Sequence, residues 1–304
     1  GPKPVVIDCC GTKRLVCDAC FPLAKEYGFT YLGGHPMAGT HNSGFKYATP
    51  TMFHNAPMVL IPADHNDIDL LSRVKELLAP AGNLECALAA FDAGADAVYC
   101  GLKRFNARER TENFTFEEMS RLLAYAHKLN RHVYVTFNTL IKEDELDEAA
   151  QELARLEQLR PDAIIIQDLG IARIAREYFP KLVLHGSTQM GLHNSAGLAY
   201  AGKLGLSRII LERQTTLAEL EQIMRSKPPV EVEIFIHGAL CCCISGTCLL
   251  SSWLGGWSGN RGKCKQPCRR RHRSADGNGF FLSAQDLGTP ELIPRLMKSG
   301  AASF

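Results

Sequence analysis

Six of the chain's twelve cysteines fall between Cys241 and Cys268, and these are the residues best suited to chemistry. Cys241 and Cys248 are separated by six residues, Cys264 and Cys268 by three. They lie in His237-Gly238-Ala239-Leu240-Cys241-Cys242-Cys243-Ile244-Ser245-Gly246-Thr247-Cys248 and Gly259-Asn260-Arg261-Gly262-Lys263-Cys264-Lys265-Gln266-Pro267-Cys268. Thiolates are soft ligands that suit zinc or an iron–sulfur centre. The spacing is not the two-plus-two knuckle pattern of a zinc ribbon. Four ligands can be drawn from Cys241, Cys248, Cys264 and Cys268, with Cys242 and Cys243 as packing residues or spares. Free cysteine is often interior, but burial alone does not explain clustering among Gly, Ser and Asn.

Charge concentrates around the same segment. Arg261, Lys263, Lys265, Arg269, Arg270, Arg271 and Arg273 fall within thirteen residues, in a chain whose net charge is only +2. Such a patch is the usual footprint of phosphate-backbone binding. A solvated loop, or countercharge for an anionic thiolate cluster, would look the same.

The elements that must hold these residues show a regular rhythm. Apolar strands read at 97–99, 133–136, 163–166, 182–184, 208–211 and 232–236. Helices at 116–129, 143–159 and 216–225 separate them, with apolar residues at three- and four-residue spacing. This alternation implies a parallel sheet with helices outside, a (β/α)₈ barrel of the TIM type or, alternatively, a doubly wound open sheet. With a first strand at 76–78, seven strands are visible, and Ser303-Phe304 would open the eighth. The expected barrel therefore lacks its last strand. Function in such barrels sits where strands end, which selects Asn138, Thr139, Gln167, Asp168, His185 to Gln189, Glu212, Arg213 and His237. The bland alternative is that some of these cap the next helix.

Residues 1–78 have a different texture: a strand at 5–8, a helix near 13–27, a Gly-rich loop from Gly33 to Gly44, a strand at 58–61 and a helix at 67–78. Both chain ends read as cut, since position 1 is not Met and the C-terminus stops where a strand begins. Hydrophobic residues are 46% and charged residues 22%, as in a globular protein. No apolar run reaches the ~20 residues of a membrane span, and no signal peptide is recognisable. A cytoplasmic location is expected, where thiols stay reduced.

Residues 76–304 resemble the peptidase U32 family, also called collagenase-like. The matching strings are Glu76-Leu77-Leu78-Ala79-Pro80-Ala81-Gly82-Asn83, Gly94-Ala95-Asp96-Ala97-Val98-Tyr99, Arg104-Phe105-Asn106-Ala107-Arg108, Gln167-Asp168-Leu169-Gly170, Ser187-Thr188-Gln189 and the 237–268 stretch. The resemblance implies a barrel, and members that hydroxylate without oxygen gas, using a four-iron (4Fe-4S) cluster on four cysteines. Some modify a pyrimidine in ribosomal or transfer RNA, others a quinone precursor. Gln167-Asp168-Leu169-Gly170 and Asn260-Arg261-Gly262 look most like the ribosomal branch. Cys241, Cys248 and Cys264 match ligand positions, and Cys268 is the fourth. Prephenate is the implied oxygen donor. Against the family's name, the chain has no nucleophile elbow and no His-Glu-x-x-His string.

Residues 1–78 resemble prephenate dehydrogenase instead. The matching strings are Val5-Val6-Ile7-Asp8, Gly33-Gly34-His35-Pro36-Met37-Ala38-Gly39-Thr40, Ser43-Gly44 and Phe53-His54-Asn55-Ala56. The resemblance implies a partial Rossmann-like segment and gives His35 the role of a substrate contact. The Gly-x-Gly-x-x-Gly turn that cradles pyrophosphate is missing, and Gly11 stands where that family has Ser. NAD binding is not expected, and His35 would be vestigial. Packing is the expected role of Cys9, Cys10, Cys17 and Cys20. Because Glu76 to Gly82 suits either family, the junction reads as a chimera of two fragments. The expected whole is an RNA base hydroxylase with ribosomal RNA as partner. The alternatives are a collagenase-like peptidase, a zinc-bound RNA-binding module and, remotely, a prephenate dehydrogenase.

Overall fold

A computed structural model of the chain describes residues 5–8, 20, 22, 23, 25–27, 30–36, 58–61, 76–109, 111–275, 277–289 and 292–304. The chain forms two compact units, Gly1–Arg73 and Val74–Phe304. In the first, β1 (Val5–Asp8) pairs in parallel with β2 (Thr30–Pro36), which pairs antiparallel with β3 (Met58–Ile61). Gly33 to Pro36 therefore lies in a strand, not in a loop, with His35 opposite Val59. Backbone pairing on both sides overrides the flexibility of the two glycines. The side chain of His35 lies outside the described residues, as do Cys9, Cys10 and Cys17.

The second unit is a curled parallel sheet with helices between its strands. Its strands are β4 (Leu78–Pro80), β5 (Ala97–Gly101), β6 (His132–Phe137), β7 (Ala163–Ile166), β8 (Leu184–Gly186), β9 (Arg208–Ile210) and β10 (Glu231–Glu233), each beside its sequence neighbour. The helices are α1 (Leu84–Asp92), α2 (Phe116–Lys128), α3 (Leu146–Leu159), α4 (Leu169–Tyr178), α5 (Ser195–Lys203) and α6 (Leu217–Arg225). All four residues of β7 are buried, as expected for a parallel strand covered on both faces. Thr115 with Glu118, and Thr216 with Glu219, form reciprocal capping boxes that fix where α2 and α6 begin.

Some boundaries differ from the sequence reading. Leu77 donates its N–H to the Asp96 carboxylate at 3.0 Å, so the first strand begins at Leu78 and no helix runs through 76–78. Leu182 donates to Phe179 O at 3.1 Å, so β8 starts two residues later than expected.

The missing last strand is corrected by the chain's own C-terminus. Ala302 N donates to Val232 O at 2.7 Å and Ile234 N to Ser303 O at 3.2 Å. On the other side Phe304 N donates to Glu76 O at 3.1 Å and Leu78 N to Phe304 O at 2.9 Å. Residues 302–304 thus bond both edges of the sheet and occupy the eighth position. Edge strands leave unpaired backbone groups, and three residues are enough to satisfy the groups nearest the gap.

A buried ionic group sits beside this closure. Arg208 Nη1 lies 2.5 Å from Glu76 Oε2 and 3.5 Å from Glu233 Oε2, and Nη2 lies 2.7 Å from Glu231. Tyr134 donates its hydroxyl to Glu76. Burial raises the Glu233 carboxyl to about 7 against the pull of Arg208.

After β10 the chain leaves the barrel. It forms β11 (His237–Ala239), the short helix α7 (Leu250–Trp253), β12 (His272–Ser274), β13 (Gly277–Gly279), β14 (Asp286–Gly288) and α8 (Ile293–Ser299). β11 pairs with β14 and β12 with β13, both antiparallel.

Candidate functional site

The cysteine segment is fastened to the strand C-terminal ends by three side chains. Glu212, only 4% exposed, follows β9. It accepts the Ser245 N–H at 3.2 Å and the hydroxyls of Ser245 and Thr188 at 3.3 Å. Asn260 makes a reciprocal amide pair with Gln167 at 3.1 and 3.2 Å, accepts the Leu140 N–H and donates to Gly246 O. Arg261 reaches Leu140 O and the Glu145 carboxylate. Each anchor pairs a loop residue with a group that the barrel has already placed.

Two glycines make this approach possible. Gly262 has φ +76°, and a Cβ there would lie 2.5 Å from Asn106 O. Gly246 has φ +82°, and its Cβ would lie 3.0 Å from Gln189 Cβ. Only glycine combines the left-handed backbone with so close a contact.

The cysteines converge on one another. Burial raises the Cys268 thiol to about 11, helped by the neighbouring Cys242, Cys241 and Cys264. Burial also raises Cys248, with Cys243, Cys242 and Cys264 as its charged neighbours. Cys264 Sγ accepts the Gln266 N–H at 3.4 Å. An N–H two residues on, aimed at sulfur, favours the thiolate. Cys242 is also a neighbour of Cys268. Among the described residues no three of these groups come close enough to hold one metal ion.

The six candidate catalytic residues do not share one cleft. Asp168 caps α4, accepting from Ile171 N at 3.0 Å and Ile141 N at 3.1 Å, so both carboxylate oxygens serve the backbone. His185 lies inside the barrel, its ring edge-on to Tyr134 at 4.8 Å. Burial and then Arg208 lower it to about 3, so it is neutral. Glu212 holds the loop. Gln189 lies beneath Gly246 with a buried Oε1 that has no partner. Arg213 stacks on Phe235 at 4.4 Å, donates to Ala239 O and lies near Cys241. His237 is exposed and sits opposite Gly288 in the β11–β14 pair. β10 ends at Glu233, before its apolar run does.

The basic stretch is also divided. Arg261 is committed to Glu145, and Arg269 donates to Leu240 O at 3.0 Å and Asp286 at 2.8 Å. Lys263 pairs with Glu109 at 3.7 Å, and Lys265 lies 3.8 Å over the Trp257 ring. Arg270, Arg271 and Arg273 are exposed and form no ion pair among the described residues. Among the described residues, Arg261, Lys263 and Arg269 are paired with internal carboxylates, while Arg270, Arg271 and Arg273 are not.

Sequence reasoning passed over Ser245 and the anchoring role of Asn260. Their only signal was position, polar residues within a Gly-rich cysteine segment. Asn138 was named and is placed at the mouth, where it accepts the Ala107 N–H at 2.9 Å and lies 3.4 Å from Ser187 Oγ.

Comparison with known proteins follows this geometry. An uncharacterized protease of Methanocaldococcus jannaschii is 40% identical over 238 residues, covering 73% of this chain and 58% of its own. The tRNA hydroxylation protein P of Escherichia coli is 38% identical over 202 residues, covering 66% and 45%. The 23S rRNA 5-hydroxycytidine C2501 synthase of Escherichia coli is 34% identical, covering 75% and 35%. The chain spans 35–58% of the length of these three relatives. No helix among the described residues is long and apolar enough to cross a membrane. Residues 1–84 match the prephenate dehydrogenase nucleotide-binding domain. Residues 82–304 match the model of Peptidase family U32, and the chain belongs to that family.

Proposed function

We propose that the second unit is the (β/α)₈ barrel of an RNA base hydroxylase that carries a four-iron cluster on Cys241, Cys248, Cys264 and Cys268. The observation that carries the reading is the cysteine group itself. Its thiols neighbour one another, and Cys264 Sγ accepts a backbone N–H from two residues on. Two relatives bear names that state hydroxylation of tRNA and synthesis of a hydroxycytidine in 23S rRNA. The substrate we infer is a pyrimidine in structured RNA, with the ribosomal kind favoured by the strings around Gln167 and Asn260. When bound, the cluster would supply an iron–sulfur redox or ligating centre.

The chain's own residues then have these roles. Glu212, Asn260 and Arg261 hold the loop over the strand ends. Gln189, with its unpartnered Oε1, is the mouth residue available to a substrate N–H. Arg213, beside Cys241, is the cation placed to meet an anionic oxygen donor such as prephenate. Neutral His185 and protonated Tyr134 keep the barrel interior without net positive charge. The first unit is read as a partial Rossmann-like segment that does not bind NAD.

The test is iron and acid-labile sulfide per chain on anaerobically purified protein, followed by mass analysis of tRNA and 23S rRNA fragments incubated with it and prephenate. About four of each per chain, lost on Cys264→Ala, together with a 16-dalton gain on RNA, is the expected result. Zinc in place of iron, or peptide cleavage without RNA product, would overturn it.

A further inference from the structure

We infer that the β12–β13 hairpin is a landing platform for unpaired RNA, an inference that rests on the RNA reading above and gives it a docking surface. Cross-strand pairs set its faces: His272 opposes Gly279, Arg273 opposes Asn278 and Ser274 opposes Gly277. One step further along this register, Phe280 stands opposite Arg271. Side chains alternate between faces along a strand. Arg271, Arg273, Asn278 and Phe280 therefore share one face, and all four are exposed.

The second ring lies against the opposite face, the one to which Gly279 points. Phe280 and Phe281 are 49% and 58% exposed. A Cβ at Gly279 would lie 2.8 Å from Phe281 Cε1, so a bare glycine makes room for that ring to lie on the hairpin. The rings are not a frayed tail. Ser283 N donates to Phe280 O at 3.0 Å, and Arg269 Nη1 lies 3.5 Å from Ser283 Oγ. His272 Nε2 lies 3.0 Å from Pro267 O, which ties the hairpin to the turn holding Cys268. The platform is thus fixed directly beside the cysteine group.

Charge and shape select the partner. Residues 270–282 contain three arginines and one aspartate, a formal +2 with His neutral. Cations attract phosphate, and exposed rings beside them stack on bases that are free of a duplex. Arg261 and Arg269, committed to internal carboxylates, take no part.

The test uses the full chain and fluorescence anisotropy with a labelled twelve-nucleotide uridine strand, a twelve-base-pair RNA duplex and anionic phosphatidylserine vesicles. The single strand is expected to bind more tightly than the duplex. Phe280→Ala should weaken it roughly ten- to a hundredfold, and Phe281→Ala, whose ring lies on the other face, less than Phe280→Ala. Arg271→Gln with Arg273→Gln should lower the slope of log affinity against log salt by about 1.4, the value for two phosphate contacts on a single strand. Unchanged circular dichroism and iron content in these variants exclude misfolding. Wild-type RNA binding that the variants retain in full overturns the platform and leaves the hydroxylase reading standing. Preference for the duplex, or loss of vesicle binding alone in the variants, overturns the platform in the same way. A wild-type chain that binds neither RNA overturns both.

Discussion

Replacing Glu212 with Ala is expected to loosen the cysteine segment while leaving the barrel folded. Glu212 is buried and accepts from the Ser245 N–H at 3.2 Å, the Ser245 hydroxyl and the Thr188 hydroxyl. The Thr188 hydroxyl keeps Leu211 O at 3.1 Å as an acceptor, and the Ser245 hydroxyl can rotate. The Ser245 N–H has no such freedom, in a residue only 5% exposed. A stranded buried N–H costs about 1–3 kcal/mol, and a hydrogen bond to a charged group contributes about 1.5–3 kcal/mol. Taken together as about 2–4 kcal/mol, the closed form of the loop should fall roughly 30- to 1000-fold relative to open forms. Hydrogen-exchange mass spectrometry on a peptide covering 241–251 reads this directly, with a peptide covering 163–166 as the barrel control. Faster exchange confined to the first peptide is expected, with lower iron content. Glu212→Gln keeps an acceptor for Ser245 and should show a smaller change. Equal protection of that peptide in wild type and Glu212→Ala would refute the bracket role and return Glu212 to the catalytic candidates.

Arg208→Met should destabilise the barrel at pH 8 by about 3–5 kcal/mol, because it leaves buried carboxylates without their cation. Glu233 titrates near 7, above its ordinary value, so the folded state holds a proton there that the unfolded state releases. That contribution to stability is present at low pH and lost as pH rises through about 7. The Arg208→Met deficit should therefore shrink at pH 5.5, and urea unfolding at both pH values checks it. His185 has the opposite sign: lowered to about 3, it stays neutral when folded while the unfolded chain protonates below about 6.5. Stability falls with acid, by about 2 kcal/mol at pH 5, and His185→Phe should remove that acid loss in the same assay. Cys100, buried and with its thiol pushed well up by burial, should not react with a thiol reagent in the native state, whereas the exposed Cys242 should. Labelling of Cys100 at the rate of Cys242 would count against the packing around β5.

The sequence by itself determined the rhythm of the barrel and the position of its cysteines. Ala163–Ile166 was readable as a strand because a parallel strand buried on both faces is a continuous apolar run. The capping Thr115 and Thr216 act within three residues, so local chemistry places the starts of α2 and α6. Ends governed by distant partners were not readable. β4 starts where Asp96 takes the Leu77 N–H, and the eighth position is filled because Phe304 bonds backbone groups more than two hundred residues earlier. The same reason divides the basic stretch. Arg261 and Arg271 are the same residue type ten positions apart, yet Glu145 claims one and the other stands in solvent. Residue type sets what a side chain can do, but a charge is consumed or left free by whichever group the fold brings within a few ångströms. Only the tertiary structure decided that Glu212 and Asn260 fasten the loop and that Asp168 caps a helix.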